Sequence, residues 1–240
     1  MASTITIMVI RMTITMTEAE ALYRLTAWSS PAFPTGAFSY SHGLEWAVEE
    51  GRVTSEATLE DWIRHGLAHG VGQVDGALLA AGYRAASDET RLSELIDLAC
   101  AWRATSETAL ESAQTGAAFL ATVRAAWPAP AFDRFASLCG DRQPGLALIF
   151  GVAAAGIAPL GLALRFHLAA WASHQVSAGV RLIPLGQTAG QRLIARLEPA
   201  VLRAAEEAEG ADLDDVAGAA WVVDIASMRH ETQTTRLFRS

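Results

Sequence analysis

The chain has 240 residues, a formal net charge of −8, and only 18% charged against 51% hydrophobic residues. It contains no lysine and no asparagine, which excludes a P-loop lysine, a Schiff base, a Ser-x-x-Lys hydrolase, N-glycosylation and a Cys-His-Asn triad. The net acidity argues against a nucleic-acid binder, which carries a basic face, and two cysteines, Cys100 and Cys139, are too few for a disulfide framework.

Residues 4–17 alternate Thr with Ile or Met, a strand-like period that lacks the basic start of a signal peptide. We expect residues 1–17 to be an extension outside the fold, disordered or upstream of a later start at Met12 or Met16. Helical periodicity begins at Glu20 and runs to Trp28, with Leu22, Leu25 and Trp28 on one stripe. Prolines at 31 and 34 then forbid a regular helix, and helix resumes by Leu44. Thr54 or Ser55 caps the next helix, which turns Leu59, Trp62, Ile63, Gly66 and Leu67 inward. Asp88 caps another, with Leu92, Leu95, Ile96, Ala99 and Trp102 inward. Further helices are predicted at 106–126, 130–139, 145–157, 160–179, 186–197, 199–209 and 213–228. The uncharged run from Pro144 to Leu164 is long enough to span a bilayer. Pro159 and four glycines interrupt it, however, so it reads as two buried helices meeting near Pro159. The fold class is therefore all-α: one domain of about ten helices over residues 18–228, closely packed through Ala and Gly, with a separate tail at 229–240.

Two constellations suggest chemistry. His65 and His69 lie four apart on a helix, at metal-ligand spacing, with Asp75 as a third donor. The zincin general-base position is Gly66, so this is a weak metal candidate, and the alternative it carries is a helical metalloprotein with His65 and His69 as ligands. Ser39, Ser41, His42 and Glu45 bring hydroxyl, imidazole and carboxylate close in sequence, without a Gly-x-Ser-x-Gly elbow. A turn with a capping serine accounts for them more simply. No catalytic residue is assigned.

Charge patterning distinguishes the ends of the chain. Residues 198–215 hold seven acids against Arg203. Residues 229–240 carry +2, with Arg229, Arg236 and Arg239 around Leu237 and Phe238, so the rest carries −10. Arginine with aromatic and aliphatic residues is the composition of an interface anchor, and little apolar surface remains for self-packing. We expect this tail to be mobile alone and ordered on a partner.

Pro31-Ala32-Phe33-Pro34-Thr35-Gly36-Ala37-Phe38-Ser39-Tyr40-Ser41-His42-Gly43-Leu44-Glu45 closely resembles the N-terminal signature of the urease accessory protein UreF family. Residues 224–240 resemble its C-terminal signature, 175–191 a segment between, and 111–120, around Gly116, a weaker fourth. The resemblance implies an all-helical, cytoplasmic homodimer, not an enzyme and not a membrane protein, that helps mature the di-nickel enzyme urease. It implies a bridge between UreD (UreH in some bacteria) and the GTPase UreG, delivering nickel to apo-urease, with nickel and GTP handled by the partner complex and no cofactor bound directly. By motif, Arg229, His230, Glu231, Arg236, Leu237, Phe238 and Arg239 would dock on UreD. Pro31, Phe33, Pro34, Gly36, Phe38, Ser39, Tyr40, Gly43 and Glu45 would form the dimer and GTPase surface.

Overall fold

The computed structural model describes residues 16–240, and the stretch expected to be an extension lies almost wholly outside them. Thr17 does not: it caps α1 (Glu18–Trp28) in a reciprocal capping box with Glu20. Two later caps fall where the pattern placed them. Ser55 caps α3 (Glu56–His69) and Asp88 caps α5 (Glu89–Ala101). The buried face of α3 is Leu59, Trp62, Ile63, Gly66 and Leu67, as the stripe predicts.

The described residues form eleven α-helices and no strand. α2 is Leu44–Glu49, α4 Val71–Arg84, α6 Ser106–Ala126 and α7 Pro130–Cys139. α8 is Leu146–Ala154, α9 Leu160–Leu182, α10 Gln187–Gly210 and α11 Trp221–His230. Pro159 does separate two buried helices, α8 and α9, but unequally, at 9 and 23 residues. None of the described helices is long and apolar enough to cross a membrane.

Three elements depart from the sequence reading; the last helix, expected at 213–228, begins only at Trp221 after a 3-10 turn at Leu213–Asp215. α4 was not anticipated, because Gly72, Gly76 and Gly82 dilute its propensity and its stripe. It is nonetheless central, packing on α3, α8, α9 and α10. Glycines on both sides let α4 and α8 touch: a Cβ at Gly82 of α4 would stand 2.7 Å from the Leu148 carbonyl oxygen, and one at Gly151 of α8 2.1 Å from that of Leu79. Third, α10 runs through Pro199 as one helix, where two were expected. An interior proline costs about 3 kcal/mol. The stripe of Leu193, Leu197, Val201, Ala204, Ala205 and Ala208 against α4 and α9 outweighs that cost.

α1 and the chain after it are held by aromatics. Trp28 meets Phe119, Trp127, Phe132 and Phe150 at centroid distances of 5.9–6.5 Å, and Phe33 meets Phe119 at 5.2 Å. Each such pair contributes roughly 0.5–1.5 kcal/mol beyond burial. They fix the start of the proline-rich loop, whose far end carries the candidate site.

Candidate functional site

The loop from Pro31 to Gly43 turns where glycines allow it. Gly36 (φ +77°) opens a single 3-10 turn, Ala37–Ser39, and Gly43 (φ +73°) starts α2. At Gly43 space matters as much as dihedral: a Cβ would lie 2.6 Å from the Ser227 nitrogen, so α11 crosses directly over it. His42 between them also has a positive φ, 53°. Phe33, Tyr40, Gly43 and Glu45 point inward; Pro31, Pro34, Gly36 and Phe38 are exposed and Ser39 is half-buried.

The tail does not hang free. α11 continues the fold to His230, and residues 231–240 fold back onto the loop and α2. Glu45 organises this return. Its carboxylate accepts the backbone N–H groups of Leu237 (2.6 Å) and Phe238 (2.8 Å) and a hydrogen bond from His230 Nε2 (3.1 Å). The other ring nitrogen of His230 faces Glu107 at 2.8 Å, and Arg236 donates to Glu107 at 3.1 Å. Burial pushes the Glu107 carboxyl above the usual carboxylate range, against the pull of His230 and Arg236. Ser41 donates its backbone N–H and its hydroxyl to the Ser240 carbonyl, and Arg239 N–H donates to the Ser39 carbonyl. His230, Phe238 and Ser240 are buried. The expectation of a tail without self-packing is thus corrected: a buried carboxylate, backbone hydrogen bonds and the buried Phe238 ring hold it.

Of the residues expected to dock on UreD, His230 and Phe238 face the body, and Arg236 and Glu231 are tied to Glu107 and Ser106. Arg229, Leu237 and Arg239 remain outward. Sequence reasoning missed the adjoining surface. α11 buries Ala226, Ser227 and His230, yet Trp221, Val222, Ile225 and Met228 on its other side are 47–68% exposed. Polar and apolar residues are mixed around the helix, and its buried side carries Ser227 and His230, so no periodicity marks which side is free.

Four separated segments meet here. Arg181 of α9 lies between the rings of Phe38 (3.8 Å) and Phe238 (4.1 Å) and donates to the Phe38 carbonyl. Gln114 of α6 accepts from Tyr40 and Arg239, and Glu111 accepts from Ser240 and pairs with His42 at 2.9 Å. Burial disfavours a charged His42, but the Glu111 carboxylate outweighs it, so the imidazole pKa lies above its ordinary value.

The candidate chemistries do not assemble. Ser41 is bonded to Ser240, His42 to Glu111 and Glu45 to His230, so hydroxyl, imidazole and carboxylate diverge. His65 and His69 do meet, with ring centroids 4.9 Å apart, but Asp75 turns to Arg103 at 2.6 Å. Among the described residues, no three His, Cys, Asp or Glu side chains gather as a metal-holding group.

The class these features define is an all-helical protein whose proline-rich loop, α6, α9 and tail meet in one composite surface. The UreF family profile matches residues 53–198. The chain is 47% identical over 225 residues to a urease accessory protein UreF of Rhodopseudomonas palustris, covering 93% of this chain and 95% of that one. It is 49% identical over 230 residues to the UreF protein of Granulibacter bethesdensis, covering 93% and 96%. The UreF protein of Bradyrhizobium diazoefficiens is 47% identical over 230 residues, covering 93% of each. The chain belongs to the UreF family of urease accessory proteins, which are non-catalytic.

Proposed function

We infer that the chain is a cytoplasmic, homodimeric scaffold that links UreD to the GTPase UreG, so that nickel is inserted into apo-urease with GTP hydrolysis by the partner. The observation that carries this reading is the face built by α11 and the folded tail. Trp221, Val222, Ile225 and Met228 stand exposed on a helix pinned from behind by Gly43 and His230, and Leu237 and Arg229 are exposed beside them. Rigidly held apolar side chains with an arginine beside them suit protein docking, since little ordering entropy is lost on binding. UreD would take this face. Phe38, exposed on the loop and stacked on Arg181, belongs to the second surface, for the dimer and UreG.

The test is reconstitution from purified components. UreD and UreG should co-elute with apo-urease only when this chain is present, and nickel-dependent urease activity should require all of them with GTP. Equal activation without the chain would overturn the reading.

A further inference from the structure

A cavity of ≈ 390 Å³ lies between α3, α4, α6, α9 and α11. Among the described residues, eight buried side-chain nitrogen or oxygen atoms lack a hydrogen-bond partner. Six of them belong to residues lining this cavity: Trp28 Nε1, Ser29 Oγ, Arg103 Nε, Ser112 Oγ and both ends of the Gln175 amide. Trp28 and Gln175 are almost fully buried, at 3% and 1% exposure. Folded proteins seldom leave such groups unmet, so the cavity has an occupant. The indole N–H and the guanidinium Nε–H can only donate, the hydroxyls can donate, and one obligate acceptor, Gln175 Oε1, stands among them. The occupant is therefore rich in acceptors.

Arg103 gives it a charge. Nη1 is anchored on Asp75 at 2.6 Å, while the Nε/Nη2 edge has no partner among the described residues. That edge is the one a guanidinium offers to an oxyanion in two parallel hydrogen bonds. Gly145 shows where it points. A Cβ built there would lie 2.1 Å from Ser112 Oγ and 2.7 Å from Arg103 Nη2, so both groups converge on a bare α-carbon. Gly145 has φ −65° and ψ 161°, open to any residue, so the glycine is needed for space. It is also the N-cap of α8 and offers no capping side chain, which leaves the first-turn N–H groups and the positive helix end uncapped. Of the carboxylates lining the cavity, Asp75 pairs with Arg103, Glu111 faces His42, and burial raises the pKa of Asp224, which favours its neutral form. Burial pulls His167 and His174, which also line the cavity, towards the neutral form.

We propose that this cavity binds a small free oxyanion, a carboxylate or a phosphate, held by the Nε/Nη2 edge of Arg103, the Ser112 hydroxyl and the uncapped N-terminus of α8. The volume admits such an ion with several waters, each needing about 30 Å³, which would serve Trp28, Ser29 and Gln175. The bound ion would tie α6 to α8 through a guanidinium edge that the protein's own side chains leave without a partner. This inference does not depend on the partner-docking reading.

Titration calorimetry of the full chain with sodium phosphate and with sodium acetate, at fixed ionic strength set by chloride, tests it. We expect one saturable site for at least one of the two anions; the tighter one shows whether the site is shaped for a tetrahedral or a planar group. Gly145→Ala, which puts a methyl between Ser112 and Arg103, should weaken binding about tenfold or more, as loss of a charge-assisted hydrogen bond does. Ser112→Ala should weaken it less, and Arg124→Gln, an exposed arginine paired with Asp133, should leave it unchanged. Arg103→Gln should abolish it; if that variant fails to fold because Asp75 is left unpaired, Gly145→Ala and Ser112→Ala decide the matter. No saturable binding of either anion by the natural chain, or binding unaltered in folded Gly145→Ala and Ser112→Ala, would overturn the proposal and leave water as the occupant.

Discussion

Glu45→Ala is the sharpest perturbation of the folded tail. The glutamate is 7% exposed and accepts three hydrogen bonds, from the Leu237 and Phe238 amides and from His230. Hydrogen bonds to a charged group contribute about 1.5–3 kcal/mol each, and removing one partner of a buried ionic network costs roughly 3–5 kcal/mol. Three bonds do not add, because the tail can detach and let water reach the freed amides. Local detachment therefore limits the loss, and about 3 kcal/mol is the expected size. Hydrogen exchange read by mass spectrometry should show residues 231–240 losing protection by about two orders of magnitude, which is that energy expressed as an opening equilibrium. Protection in α3, α4 and α9 should hold. Glu45→Gln, which can serve one amide but not all three bonds, should fall between. If exchange of 231–240 in Glu45→Ala matches the natural chain, the carboxylate is not what holds the tail.

Three further outcomes follow from the packing and from charge. Gly151→Ala should destabilise by about 3 kcal/mol or more in urea unfolding, because the new methyl meets the Leu79 carbonyl at 2.1 Å and overpacking of a core costs at least 1–3 kcal/mol; Gly210→Ala, with nothing within 4 Å, should be neutral or slightly stabilising. The raised pKa of His42 gives stability that is fully present below the unfolded value of 6.5 and is lost as pH rises through the higher folded value. The stability gap between the natural chain and His42→Asn, a residue that tolerates the left-handed backbone there, should therefore be wider at pH 5.5 than at pH 8.5; a gap that does not change with pH refutes the pairing with Glu111. Phe38→Ala should leave the helical content and melting of the chain nearly unchanged, since the ring is 66% exposed, while weakening UreG retention in a pull-down.

What could be read from the residues depends on how local the cause was. The caps at Ser55 and Asp88 and the inward face of α3 lie within one or two turns of the residues that specify them, so pattern was enough. α4 was lost because its glycines serve contacts with Leu148 and Ala208 from other helices, and such contacts leave no periodic trace. Pro199 read as a break because its cost is local, whereas the face that outweighs it packs on α4 and α9. The tail was the largest difference. Its sparse apolar residues suggested mobility, but its restraint is Glu45, almost two hundred residues away in the chain. The signature segments were each visible by resemblance; their meeting around Arg181, Gln114 and Glu111 is tertiary.

The central claim is that the α11 and tail face carries the protein's work by docking UreD. Ile225→Asp together with Leu237→Asp places two charges on that face, at residues 51% and 63% exposed, where they cost the fold almost nothing. Co-purification of tagged UreD with this double variant is the direct measurement. The account predicts a soluble chain with the natural helical signal and at least a hundredfold weaker retention of UreD, about 2.7 kcal/mol for two apolar contacts replaced by buried charges. Retention of UreD equal to that of the natural chain, by a variant that is folded, would contradict it.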